Sequence, residues 1–251
     1  MSARARLLCL AAVAAVAACA HSSKNAANDP KQAAALNAQL AIEYLKLDKL
    51  ASARDFAERA LKEDPDSANV QLSAGLVYER LDEMPKAERA YSAAARIGRR
   101  DPNMQNNYAG FLCRTGKTVA GEKLFAQVAR DPLYQTPEVA LVNAGVCLHS
   151  AGDVVDAERY FDRALAIRPN MPEALLQLAN IAFERGDAAQ AHEIVQRDLS
   201  VNPPTAELLW LGLRVERKLG DSAAAANFAR RIQVEFPDSE QARRMRSGID
   251  R

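Results

Sequence analysis

This 251-residue sequence is short of aromatic side chains, which make up 6% of it, and of histidine, of which it has 3. Cysteine is scarce too, at 4, and glycine and proline stand at 11 each. Neither charge sign is in excess: 33 Lys+Arg face 32 Asp+Glu, for a net charge of +1. Each shortage excludes something. A nearly neutral chain exerts no global pull on nucleic acid, so no nucleic-acid partner is expected. So little glycine and proline rules out collagen-like or proline-rich disordered character. The histidines and cysteines leave little material for a metal site, and they are too few for a disulfide-dense miniprotein. What the chain has in quantity is alanine, roughly a fifth of its residues and the strongest helix former, which points away from an all-β protein and toward helices.

Long hydrophobic runs are missing as well. The one apolar run worth the name, residues 7–18, follows Arg4 and Arg6 and is too short to span a bilayer as a helix. A basic start, a short apolar core and small residues form a secretory address. Here it ends Val16-Ala17-Ala18-Cys19, which resembles the bacterial lipobox. The resemblance implies that residues 1–18 are removed and that Cys19 is lipidated and becomes the mature N-terminus; several acyl chains anchor stably where one does not. Ala20, not Asp, follows the cysteine, and by resemblance to sorted lipoproteins this implies the outer membrane. The polar stretch after Cys19, within residues 19–33, is expected to be a flexible tether.

From Ala34 on, the chain matches itself at a period of about 34 residues. Units start at Ala34, Ala68, Pro102, Glu138, Pro172 and Ala206. Each has small or apolar residues one turn into its first half, glycine or aspartate near position 15, a small residue at position 20 and an apolar residue at position 24. The fourth unit, for example, reads Ala144, Gly145, Leu148, Gly152, Ala157, Phe161 and Ala164. The small residues let helix backbones approach, the large ones fill the gaps, and the glycine or aspartate turns the chain. This resembles the tetratricopeptide repeat. The fold implied is all-α: a right-handed superhelical solenoid of six helix pairs over residues 34–239, with a polar capping tail at 240–251. One pair cannot bury its apolar face alone, so the units must stack. The step from Pro102 to Glu138 is two residues longer than the others, and the excess falls in residues 131–137, where two prolines bracket what looks like an exposed Tyr134.

No catalytic constellation is present: no nucleophile elbow, no metalloprotease helix and no zinc spacing. Gly116-Lys117-Thr118 has the tail of a phosphate loop, but Phe111 stands where its first glycine belongs. His149 and His192 occur singly and read as polar fillers or surface residues. No enzyme activity, metal or cofactor is expected. Cys113 and Cys147 fall in the first helices of adjacent repeats, which lie side by side in such solenoids. In an oxidising compartment they are candidates for a disulfide; two buried free thiols is the alternative. In a tetratricopeptide superhelix the first helices line the concave face. Ile42, Leu45, Leu72, Leu76, Phe183 and Trp210, with the amides of Asn106 and Asn180, fall on it and form a candidate groove for an amphipathic or extended partner segment. Val142, Val146, Leu176, Arg114, Arg214 and Arg217 share that face. The apolar set is cleanest in the first two repeats.

Four segments narrow the resemblance. Asn106-Asn107-Tyr108-Ala109-Gly110-Phe111-Leu112-Cys113, Asp131-Pro132-Leu133-Tyr134 with Pro137, Asn143-Ala144-Gly145-Val146-Cys147 and Leu209-Trp210-Leu211-Gly212 are similar, in order, to signatures of the PilF/PilW family of type IV pilus biogenesis lipoproteins. That resemblance implies an outer-membrane pilotin, anchored by its N-terminal lipid and facing the periplasm. Its partner would be the pilus secretin (PilQ-like), which it helps to reach the outer membrane and oligomerise. A monomer is expected. The rival reading is a general periplasm-facing tetratricopeptide scaffold for outer-membrane protein or cell-wall assembly.

Overall fold

The computed structural model describes residues 29–247. The signal segment, Cys19 and most of the expected tether lie outside the described residues. Within them are thirteen helices and no strand: α1 Pro30–Lys46, α2 Leu50–Glu63, α3 Ala68–Arg80, α4 Met84–Ile97, α5 Pro102–Arg114, α6 Thr118–Val128, α7 Pro137–Ser150, α8 Val154–Ile167, α9 Pro172–Glu184, α10 Ala188–Val201, α11 Ala206–Leu219, α12 Ser222–Glu235 and α13 Glu240–Ser247. α1/α2, α3/α4, α7/α8, α9/α10 and α11/α12 pack as hairpins, and α5 and α6 continue the same alternation, the all-α helix-pair architecture that the repeat implies. None is long and apolar enough to cross a membrane. The chain forms two compact units, one ending at Phe111 and one starting at Leu112.

Each hairpin turns through one residue in the left-handed region. Asp48 and Asp82 do this in the first two repeats, at φ 56° and 60°, and Gly116, Gly152, Gly186 and Gly220 in the other four, at φ 78° to 89°. Only glycine takes that conformation without a Cβ penalty; aspartate tolerates it better than most residues. In the last three repeats an aspartate follows the glycine and caps the second helix. Asp153, Asp187 and Asp221 accept hydrogen bonds from the backbone N–H groups of Asp156, Gln190 and Ala224 at 3.2, 2.9 and 2.8 Å. In the first three repeats the equivalent residues, Lys49, Glu83 and Lys117, make no such bond.

The core is built from small residues facing large ones. In repeats two, four and six a glycine of the first helix lies under an aromatic ring of the second. A Cβ on Gly75 would sit 3.1 Å from Tyr91, on Gly145 2.6 Å from Phe161, and on Gly212 2.6 Å from Phe228. Repeat six departs from the expected register: the ring over the glycine is Phe228, buried, and not the neighbouring position 24, Ala229, which is half-buried. Repeat one has no ring in this slot and closes with Ala41, Ala53 and Ala57, all fully buried.

Three boundaries differ from expectation. Helix α1 begins at Pro30, inside the expected tether, because proline suits the first helical position and the Asp29 side chain accepts a 3.0 Å bond from the Lys31 N–H. Tyr134 is buried rather than exposed, packed with Val128 and Ala140; it is Leu133 beside it that faces solvent. Helix α13 is polar outside, as expected of a capping tail, yet it buries Ala242 and packs Met245 against the last core cluster.

Candidate functional site

In the N-terminal unit α1 and α3 lie side by side because the face between them is small. Ala34, Ala38 and Ala41 are buried on α1, and Ser73 of α3 donates a 2.9 Å hydrogen bond to the Ala38 carbonyl. Above this floor runs an open groove of about 450 Å³. Its apolar lining is Ile42, Leu72 and Leu76 with Ala35 and Ala38, and its polar lining is Gln39, Glu43, Asn69 and Ser73. The three large side chains are half-buried, so each presents apolar surface to solvent.

Of the eight residues offered from sequence as the candidate groove, the structure brings together Ile42, Leu72 and Leu76. Leu45, half-buried like them and packed against the same core cluster as Leu72 and Leu76, is not in the groove lining. Asn106 is half-buried on α5, outside the groove lining. The alanines and Asn69, which complete the groove, carry no large apolar side chain to mark them in the sequence. The unbroken Ala33-Ala34-Ala35 run of α1 was the available signal.

The remaining three lie in the C-terminal unit. Asn180 spends its amide N–H on the Leu176 carbonyl of its own helix, at 3.0 Å. Phe183 and Trp210 are half-buried against the core of repeats five and six. The Arg214 guanidinium lies 4.5 Å from the centre of the Phe183 ring, and that of Arg244 lies 5.6 Å from Trp210. This face is therefore aromatic and cationic, whereas the α1/α3 groove is aliphatic. Val142 is buried and is no part of any open face; Val146 is exposed.

Cys113 of α5 and Cys147 of α7 form a disulfide, with Cα atoms 5.4 Å apart. His149 and His192 each meet a glutamate of the following first helix, Glu184 at 3.0 Å and Glu216 at 2.7 Å. Two carboxylates are shifted in opposite directions. The Lys86 ammonium bonded to Glu83, with Arg54 beside it, holds that carboxyl below its ordinary value against a cost of burial. Burial pushes Asp198 up, and the Asn202 amide that donates to it at 2.7 Å offsets this only in part. Among the described residues no cluster of His, Cys, Asp and Glu could hold a metal ion.

Comparison with known proteins agrees with the helix pairs. A tetratricopeptide-repeat family model matches residues 38–103 and 114–172, and a second model of that description matches 148–212. The type IV pilus assembly protein PilF of Pseudomonas aeruginosa is 25% identical over 146 residues, which is 58% of this chain and 58% of that relative's length. Among solved structures, PilW, described as a widely conserved type IV pilus biogenesis factor, superposes with a TM-score of 0.69 at 30% identity, covering 85% of this chain and 98% of PilW. The Pseudomonas aeruginosa PilF structure superposes at 0.65 and 22% identity, covering 87% and 99%, a likeness of fold.

Proposed function

This chain belongs to the tetratricopeptide-repeat family of type IV pilus biogenesis proteins that includes PilF and PilW, and from that membership we propose that it is a pilotin. It binds the pilus secretin, escorts it to the outer membrane and promotes its assembly into a multimer. The role is one of protein binding, with no chemical step. Cys19 carries the lipid anchor, and the anchor takes the chain and its cargo along the lipoprotein route to the periplasmic face of the outer membrane. Holding subunits at a surface raises their effective concentration and favours ring assembly by mass action.

The observation that carries this reading is the α1/α3 groove. Ile42, Leu72 and Leu76 present apolar surface in an open groove of about 450 Å³ whose lining also holds Gln39, Glu43 and Asn69. Apolar surface with polar groups beside it is suited to an amphipathic segment that lays its apolar face inward.

The test is the amount of detergent-resistant secretin multimer in outer-membrane fractions. Deleting the gene should remove the multimer and leave the monomer. Leu72→Glu with Leu76→Glu should do the same while the variant's own helical circular dichroism and melting temperature stay near wild type. Unchanged multimer in the deletion strain would overturn the pilotin role. Unchanged multimer in the folded double variant would overturn the groove's part in it.

A further inference from the structure

We propose that the exposed face of α4 and the turn after it form a docking surface for an anionic phospholipid membrane. For where that membrane comes from, the proposal rests on the reading that Cys19 carries a lipid. The face shares no residue with the α1/α3 groove. Arg89 and Arg96 of α4 line an open cleft of about 510 Å³, together with Ser92 and with Tyr108 of α5. Arg99 and Arg100, in the turn between α4 and α5, line a second cleft of about 520 Å³. All four arginines are exposed. Glu88 is the one carboxylate in the lining of the first cleft, and it is half-buried. Asp101 in the second is engaged by its own turn: it accepts bonds of 2.9 Å from the backbone N–H and the side-chain amide of Asn103.

These are the arginines that the N-terminal unit leaves unpaired. Among its described residues, Arg54, Arg59 and Arg80 meet Glu83, Asp55 and Asp48. Arg89, Arg96, Arg99 and Arg100 have no carboxylate within ion-pair distance. A chain of net charge +1 thus carries a local excess of positive charge on one stripe of one helix and the turn that follows. Phosphate is the anion whose geometry the guanidinium fork matches, and many phosphates at once neutralise many arginines. The spread of the charges favours a membrane over a peptide. They surround two open clefts, and no exposed aliphatic side chain lines either, so nothing on this face would hold a segment in register. An array of headgroups needs no register. The anchor is within reach, since the ten residues from Cys19 to Asp29 span at most about 36 Å. α1 packs on α3 and α3 on α4, so with axes about 8–10 Å apart α4 lies within about 20 Å of α1. Each arginine at an anionic surface strengthens binding roughly fivefold, so the patch alone holds weakly. Joined to a lipid anchor, it sets which face of the unit is turned to the membrane. Contact through α4 leaves Ile42, Leu72 and Leu76 unused.

The experiment uses the mature chain made without its lipid, residues 20–251, which holds every described helix. It is sedimented with vesicles of phosphatidylcholine, alone or mixed with an equal part of phosphatidylglycerol. The expected result is binding only where phosphatidylglycerol is present, and its loss in high salt. Arg96→Gln with Arg100→Gln should weaken that binding at least about tenfold. Arg59→Gln, which removes a paired arginine of α2, should change it less than about twofold. Helical circular dichroism checks that each variant is folded. Should the double variant not fold, Arg99→Gln should still weaken binding about fivefold. No binding to phosphatidylglycerol vesicles at low salt overturns the proposal, as does equal binding to both kinds of vesicle or undiminished binding by the folded variants of the four arginines. So does binding of a polyglutamate peptide, lost in those variants, with none to vesicles; the face would then read protein. None of these results depends on acylation of Cys19 or on the secretin multimer, so this proposal, the anchor and the pilotin reading can fail separately.

Discussion

The first two repeats and the last three make the same hairpin with different chemistry. Asp48 and Asp82 hold the left-handed turn position early in the chain, and neither following residue caps its helix. Later, glycine takes the turn and the next aspartate takes the cap. The two units also differ in how they are closed. The C-terminal one has a disulfide between its first helices and phenylalanine rings over Gly145 and Gly212. Repeat one has alanine in that slot in place of a ring. The unit with the less optimised turns holds the open aliphatic groove. Both units set cations over rings, Lys49 over Tyr44 and Lys86 over Tyr78 in the first, Arg163 over Tyr160 and Arg214 over Phe183 in the second. Turn and core chemistry can thus vary between repeats without changing the hairpin, and it is the faces left over that differ in character.

The sharpest way to break this contrast is to remove the brace. Cys113→Ser with Cys147→Ser should cost the C-terminal unit about 2–4 kcal/mol, through the freed unfolded-state entropy of a loop that now spans 34 residues. Hydrogen exchange followed by mass spectrometry should show protection falling from Leu112 onward and holding in α1 to α4. Equal loss in both units would mean the brace is not local. Next in size, Gly145→Ala and Gly212→Ala should each cost about 1–3 kcal/mol, since the added methyl meets a buried ring at 2.6 Å. Gly75→Ala, at 3.1 Å from Tyr91, should cost less. Denaturant midpoints of the three variants give that order or refute it.

The turns can be exchanged. Asp221→Ala should cost about 1 kcal/mol by removing a cap, and Lys49→Asp should add a few tenths to 1 kcal/mol by supplying one. If both are neutral, the caps do not separate the two regions. The smallest effects are in pH. Glu83 in the N-terminal unit has a lowered pKa, so the stability it contributes is present above its unfolded value and is lost as pH falls through the carboxylate range. Asp198 in the C-terminal unit has a raised pKa, so burial of its charge is a cost that is relieved as pH falls through its folded value. Glu83→Gln should flatten the acid loss. Asp198→Asn, which keeps an oxygen for the Asn202 amide, should be as stable as wild type at neutral pH or up to about 1 kcal/mol better, and should lose the gain on acidification. Melting temperatures across that range check both signs.

The repeat was legible because its pattern is local. The six turn residues at position 15 are, among the described residues, the six with positive φ, and the small-residue positions are buried. Register was read correctly through repeat five and slipped in repeat six, where Phe228 fills the slot expected of position 24; nothing in the residue types distinguishes one step in a helix face from the next. Tyr134 was misplaced because prolines on either side mark a loop without saying which of its side chains turns inward. The face residues were legible as a set but not as a site. Leu45 and Leu72 are alike in spacing and both half-buried against one core cluster, yet only Leu72 lines the groove.

The amino-acid pattern alone determined the helix pairs, their turns and the side of each helix that is buried, because periodicity and backbone preference act over one or two turns of chain. Only the tertiary structure decided which apolar residues remain uncovered and which arginines are fixed on rings. Those outcomes depend on the placement of side chains far apart in sequence: Ile42 of α1 beside Leu72 and Leu76 of α3, Phe183 of α9 near Arg214 of α11. Such placements are made across helices, where sequence distance carries no information.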